Sequence, residues 1–280
     1  MRNIPVSAVT EAVKSLIVEA NYFLGDDVLQ LIRACLGKEE SPLGREVLAR
    51  IVENSRIACD EKVPMCQDTG FPVVFIELGQ EAVLTGGDLT AAVQEGVRLG
   101  TKEGYLRSSV VRDPLRRVNT GDNTPAVVHV EIVPGDEVRI TVAPKGGGSE
   151  NMSEIRMLPP SAGIEGVRDF VVDRVRRSGG NPCPPLIVGV GIGGTFEKCA
   201  WLAKKSLLRR AASPNPDPFY AAMESDLLDR INGLGIGPMG FGGRCTALAV
   251  HIETHPCHIA SLPVAVNIQC HAARHSEKVI

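Results

Sequence analysis

The chain has 280 residues, of which 44% are apolar and 22% charged, with a formal net charge of −3 and a pI near 6.1. This is the balance of a soluble globular protein with a sizeable core. It offers no basic field for nucleic acid and no window of about 18 apolar residues for a membrane span. The start, MRNIPVSAV, lacks the apolar core of an export signal, so a cytoplasmic, reducing setting is expected. The eight cysteines are then expected to serve packing, catalysis or metal ligation rather than a disulfide framework.

Residues 7–20 read as an amphipathic helix with Val9, Val13, Ile17 and Ala20 on one face and Ser7 as N-cap. Asp26 and Asp27 open a second helix that stops near Gly37, and 43–57 repeats the pattern. The β-branched run 72–78 predicts a strand, and Asp88 caps a helix over 89–102. Segments 127–133 and 137–143 alternate around Pro134-Gly135-Asp136, which predicts a hairpin. KGGGSENMS, 145–153, is too glycine-rich for an element. Helices follow over 161–177, from a Thr195 cap to 210, and over 219–231, with a buried strand at 186–190. Two more strands, 247–252 and 263–268, flank a loop rich in His and Cys. The fold class is α/β (mixed α+β): a single domain, 1–280, with a helical N-terminal lobe (1–60) packed on a mixed β-sheet part (61–280).

Gly189, Gly191 and Gly194 form G-x-G-x-x-G after a strand and before a helix. The acidic residue about 20 positions on should end a second strand. Asp217 lies instead in a proline loop, so tight strand–helix packing or an anion near the helix start is the better reading of these glycines.

The stretch 233–275 concentrates chemistry. It holds six glycines between Gly233 and Gly243, three cysteines (Cys245, Cys257 and Cys270) and five of the six histidines. Cys270 sits just past a strand. Upstream, Cys66 lies on a turn in PMCQDTG beside Gln67 and Asp68, and Cys183 lies in NPCPPLIVG, where prolines stiffen the loop and remove N–H donors. Cys35, Cys59 and Cys199 read as core residues, and Cys245 and Cys257 lean the same way. Zinc on Cys257, His258 and either His251 or His255 competes. No C-x-x-C exists, however, and strand alternation would set the two histidines too far apart. Spacing alone does not choose three ligands from eight.

Five segments, CQDTG at 66–70, NTGDNTPAVVH at 119–129, KGGGSEN at 145–151, 183–209 and 235–275, together resemble the α subunit of the iron–sulfur hydro-lyases, class I fumarate hydratase and L(+)-tartrate dehydratase. The resemblance covers nearly the whole chain. It implies a 4Fe-4S cluster held by Cys66, Cys183 and Cys270 with one iron open as a Lewis acid. It also implies a substrate pocket lined by Gln67, Asp68, Arg107, Gly147 and His258, with Asp68 and His258 in catalytic roles. Arg107 suits a carboxylate because its fork binds bidentately. The chain stops ten residues after Cys270. A separate β subunit is therefore expected to complete the pocket, in a heterotetramer of two α and two β. The implied activity is reversible hydration of fumarate to L-malate. The alternatives are L(+)-tartrate dehydration to oxaloacetate and a non-enzymatic iron–sulfur sensor or electron carrier. A four-cysteine site would favour the carrier.

Overall fold

The computed structural model describes residues 2–280. It is mixed α/β, as expected, and divides into two compact units that the chain enters more than once. No helix among the described residues is long and apolar enough to cross a membrane.

The first unit comprises Met1–Leu24, Asn54–Gly147 and Arg274–Ile280. Strand β1 (Arg2–Pro5) runs directly into α1 (Val6–Tyr22). The cap position is Pro5, with no side-chain cap; Ser7, the cap indicated by sequence, lies inside the first turn. Helices α2 (Asp26–Lys38) and α3 (Pro42–Glu61) follow, and α3 carries the chain back into this unit. Next come β2 (Phe71–Gly79), β3 (Ala82–Thr85) and α4 (Leu89–Glu103), the last capped by Asp88, whose carboxylate accepts from the Ala91 N–H. Gly96 and Gly100 on α4 let α1 approach closely, since added Cβ atoms would lie 2.6 Å from the Thr10 carbonyl and 2.3 Å from Ile17. Val9, Val13 and Ile17 of α1 and Val93 and Val97 of α4 share a core with Val74 and Ile76 of β2.

The sequence predicts a hairpin around Pro134-Gly135-Asp136. Both strands exist, as β4 (Val127–Val133) and β5 (Val138–Lys145), but they do not pair. β2 lies between them, parallel to β4 and antiparallel to β5. The turn after β2 fills the gap: the N–H groups of Gly79, Gln80 and Glu81 donate to Glu137, Val133 and Gly135 carbonyls. A Cβ at Gly79 would lie 2.5 Å from the Gly135 oxygen, so this wedge requires glycine. β10 (Ser276–Val279), which sequence reading does not anticipate, pairs antiparallel with β5 on the far side.

The second unit comprises Gly25–Glu53 and Gly148–Ala273. Its sheet has the order β6 (Glu154–Leu158), β9 (Leu262–Gln269), β7 (Leu186–Gly193), β8 (Ala247–His255). β7 and β8 are parallel, and β9 is antiparallel to both β7 and β6. The glycine-rich 145–153 stretch contributes a four-residue helix, α5 (Gly147–Glu150). α6 (Gly163–Ser178) and α8 (Pro218–Asn232) pack on the sheet around Val171, Val188, Leu227 and Val266, and α7 (Phe196–Ser206) packs on it through Cys199 and Ala203 against Ala265.

The first two glycines of the fingerprint serve packing. A Cβ on Gly189 would lie 2.2 Å from the Ala203 oxygen, and one on Gly191 2.1 Å from the Cys199 oxygen, so α7 rests on the bare backbone of β7. Asp217 is the N-cap of α8, its carboxylate accepting from the Phe219 N–H.

Candidate functional site

In the first unit, Cys66, Gln67 and Asp68 sit on the loop between α3 and β2, with Cys66 and Asp68 half-buried and Gln67 exposed. Asp68 is tightly held. Its Oδ1 accepts from the Gly70 N–H at 3.0 Å and its Oδ2 from the Gly147 N–H at 2.8 Å. Its main-chain carbonyl accepts from Arg274 Nη2. Gly70 takes φ +84°, and a Cβ there would lie 2.7 Å from the Pro144 carbonyl carbon, so the loop can lie on the end of β5 only with glycine at this turn.

Arg107 is exposed on the loop after α4, and its main chain is clamped. The Arg107 carbonyl accepts from Thr69 Oγ1 at 3.0 Å and from Asn123 Nδ2 at 2.8 Å. Asn123, 1% exposed and at φ +60°, also accepts from the Ser109 N–H through its Oδ1. The NTGDNTP motif therefore acts as a brace that fixes the Arg107 loop. The motif gives Asn123 no role from sequence alone; the signal it carries is that of an Asn able to take positive φ and bond neighbouring backbone.

In the second unit, Cys183 sits at φ +57° between α6 and β7, and Cys270 lies immediately past β9. Both are half-buried. His271 links their loops: its N–H donates to the Cys183 carbonyl at 3.3 Å, and its Nδ1 lies 3.0 Å from the same oxygen. The glycine stretch 235–243 backs the Cys183 loop. The Met239 N–H donates to the Pro184 carbonyl, and Gly240 stacks on Gly180 so closely that a Cβ would lie 2.7 Å away. All five of its glycines have positive φ.

His258 is on the exposed loop between β8 and β9. Its Nδ1 accepts from the Ala260 N–H at 3.1 Å, so in the neutral ring the proton sits on Nε2. His251 is 1% exposed, with its ring nitrogens 3.1 Å and 3.4 Å from the Ser206 and Ala211 carbonyls. Burial holds its pKa below the usual histidine value, with the nearby Arg209 adding to the effect.

The other cysteines divide by setting. Cys199 is fully buried, its thiol donates to the Gly191 carbonyl, and burial pushes its pKa up to about 12. Cys59 is half-buried on α3 and Cys257 is exposed. Cys35 and Cys245, expected as packing residues, are joined in a disulfide with Cα atoms 6.0 Å apart. Composition and setting spoke against disulfides, and 210 residues separate the two in sequence. The partner that brings them together is Glu39. Its buried carboxylate accepts from the N–H groups of Glu40, Ser41, Arg244 and Cys245 and ties the α2–α3 turn to the segment before β8. Burial alone would raise the Glu39 pKa, but these four donors outweigh it and hold the carboxyl below its usual range.

Among the described residues, no three His, Cys, Asp or Glu side chains gather around a point that would hold a single ion. The structure thus brings Asp68, Gly147 and Arg274 together in one unit, and the Cys183 and Cys270 loops together in the other.

A family model described as fumarate hydratase (Fumerase) matches residues 10–279. A Methanocaldococcus jannaschii protein provisionally named L(+)-tartrate dehydratase subunit alpha is 42% identical over 280 residues, covering 97% of each chain. L(+)-tartrate dehydratase subunit alpha of Escherichia coli strain UTI89 is 35% identical, and that of strain K12 is 34% identical, each over 96% of this chain and 89% of its own. With nearly its whole length matched, the chain belongs to the fumarate hydratase (Fumerase) family.

Proposed function

We propose that residues 1–280 act as the α subunit of a two-subunit class I fumarate hydratase, which adds water reversibly to fumarate to give L-malate. The hydro-lyase class follows from the family. The observation that carries the finer reading is the corner at Asp68, where a carboxylate, a glycine backbone and a buried guanidinium from three separate motifs meet.

The donor set fits an iron–sulfur cluster. Cys66, Cys183 and Cys270 are the half-buried thiols on loops, whereas Cys199 is held protonated in the core and Cys35 and Cys245 are consumed by each other. Cluster ligands each bond a different iron, so they need not crowd around one point. In this reading Cys66, Cys183 and Cys270 hold a 4Fe-4S cluster. When bound, it supplies an open iron that acts as a Lewis acid on the substrate hydroxyl.

The chain's own residues then do the following. The exposed Arg107 fork takes one substrate carboxylate, on a backbone already fixed by Thr69 and Asn123. Gly147 spends its N–H on Asp68, and only Asp68 Oδ2, at 3.8 Å, stands near where its Cβ would be, so the missing side chain leaves room for a ligand. Asp68, fixed by two N–H groups, offers its remaining lone pairs as acceptors. His258, with Nδ1 occupied, presents Nε2–H as a donor. Gln67 offers an exposed amide.

Fumarate has two carboxylates and Arg107 holds one. A β subunit is proposed to supply the base and further carboxylate-binding residues, in an assembly of two α and two β chains; the relatives' designation as "subunit alpha" supports a partner. A cytoplasmic setting, where a cluster with an open iron is kept from oxidants, belongs to the same reading. L(+)-tartrate is the second substrate reading, favoured by the relatives' names. The test is anaerobic turnover of fumarate, L-malate and L(+)-tartrate by α alone and by α with β. The expected result is little activity from α alone, and malate preferred over tartrate by about 10-fold or more in the complex. The reverse preference moves the assignment to tartrate.

A further inference from the structure

Arg274 is 2% exposed, and its guanidinium is only partly used. Nη2 donates to the Asp68 carbonyl, while Nε and Nη1 are buried without a hydrogen-bond partner. The other charged atoms in that condition, Arg168 Nε and Asp226 Oδ2, face each other at 3.0 Å and form an ion pair. Arg274 has no such compensation among the described residues. The Asp68 carboxylate, on the loop whose carbonyl Arg274 binds, accepts instead from the Gly70 and Gly147 N–H groups and forms no ion pair with Arg274. Glu277, on the strand that follows Arg274, pairs with Arg139 and Thr141. A buried guanidinium cannot escape its charge by losing a proton, and it presents up to five donors. With two of its three nitrogens buried and unmet, its donors are open to an anion that arrives from outside the polypeptide.

We propose that Arg274 is an anion-binding residue of the site. Its Nε–H and Nη1–H donate to a negatively charged group that arrives with the ligands beside the Cys66–Asp68 loop. The group is either a carboxylate of the substrate or the sulfide- and thiolate-bearing cluster. The proposal rests on the hydro-lyase reading and deepens it. It gives this chain a second guanidinium for anions besides Arg107, one that is fixed and buried where Arg107 is exposed.

The test uses the α–β holoenzyme with its cluster assembled anaerobically. Wild type, Arg274→Met and Arg274→Lys are compared for iron and sulfide per α chain, midpoint potential and EPR signal of the cluster, and Kd for succinate. Succinate is a dicarboxylate without the double bond or hydroxyl that reacts. If the partner is a carboxylate, Arg274→Met weakens succinate by roughly 10- to 100-fold while iron, sulfide and potential stay at wild-type values. If the partner is the cluster, Arg274→Met sheds iron and sulfide or lowers the midpoint potential, because a nearby positive charge favours the reduced state. Arg274→Lys keeps the charge and should recover part of either loss. Should the Met variant fail to fold, the Lys variant carries the same readouts with smaller shifts in the same directions. Wild-type succinate affinity, cluster content and potential in a folded Met variant, whatever its melting temperature, overturn the proposal. A wild-type complex with neither cluster nor turnover would sink the iron–sulfur fumarate hydratase reading instead, and the succinate arm would still test Arg274 for a carboxylate partner.

Discussion

Glu39 and Arg274 are buried to the same degree, at 3% and 2% exposure, and carry opposite charge. Around Glu39 the chain supplies four backbone N–H groups, so the carboxylate keeps its charge in the interior. Around Arg274 it supplies one carbonyl and leaves two nitrogens unmet. Stripping a partner from a buried ion costs about 3–5 kcal/mol, so the second arrangement is tolerated only because the surrounding fold holds it or a ligand completes it. A saturated buried charge is architecture; an unsaturated one points at what is to be bound.

The thiols give the largest expected effect, and they divide by burial. Cys199 is saturated: its thiol donates to Gly191 and is held protonated. Cys66, Cys183 and Cys270 are half-buried on loops. Changing any of these three to Ser is expected to abolish cluster assembly and lower turnover by at least about 100-fold. Cys199→Ala should keep full cluster content and lose about 1–3 kcal/mol of stability to a cavity. Iron, sulfide and visible absorption after anaerobic preparation decide it, and full cluster content in any one of the three Ser variants removes that ligand from the set.

Glu39→Gln comes next and should be purely structural. The amide keeps one acceptor oxygen and turns two donors toward backbone N–H groups that already lack alternatives. A loss of about 2–4 kcal/mol in urea unfolding is expected, with cluster content and succinate affinity unchanged. Opening the Cys35–Cys245 bond by substitution with Ala should cost less, about 1–3 kcal/mol, because Glu39 still ties Arg244 and Cys245 to the α2–α3 turn. Urea midpoints of the single and double variants measure this. Additive losses would mean that the two ties act independently, whereas a smaller loss in the presence of Glu39 supports the shared role.

Local signals carried well into the structure where they concerned one element. The Asp88 cap, the strand runs at 72–78 and 263–268 and the glycine turns of 235–243 all came from short-range rules. What failed needed long-range information. β4 and β5 alternate like a hairpin, but whether β2 enters between them depends on Gly79 meeting Gly135, which local alternation does not record. The disulfide joins residues 210 apart, and nothing near Cys35 or Cys245 marks the other. At the site, the motif residues were readable because they cluster in sequence. Arg274 lies inside the last motif, 235–275, and is marked out only by its burial and unmet donors.

The smallest effect is a pH dependence that tests whether Glu39 is buried as an ion. The folded Glu39 carboxyl lies below 4.5, its value in the unfolded chain. Above about pH 4.5 both states are ionised and its contribution to stability is complete. As pH falls through 4.5 toward the folded value, the unfolded chain takes up a proton that the folded one refuses, and the contribution is lost. Asp122 and Glu154 are lowered as well and act in the same direction. His251 adds a separate loss that begins higher. Its folded pKa lies below 6.5, so the unfolded chain gains that proton first as pH drops through 6.5. Wild-type stability should therefore decline shallowly below about pH 6.5 and more steeply below about pH 4.5. Glu39→Gln keeps the His251, Asp122 and Glu154 contributions and removes only its own. The gap in unfolding free energy between wild type and Glu39→Gln should then be constant near neutrality and narrow below about pH 4.5. Urea midpoints taken at intervals from neutrality to about pH 3.5 measure that gap. A gap that stays constant to the acid end would mean that the carboxyl is not held as an anion by its four donors, and the contrast with Arg274 would lose its saturated half.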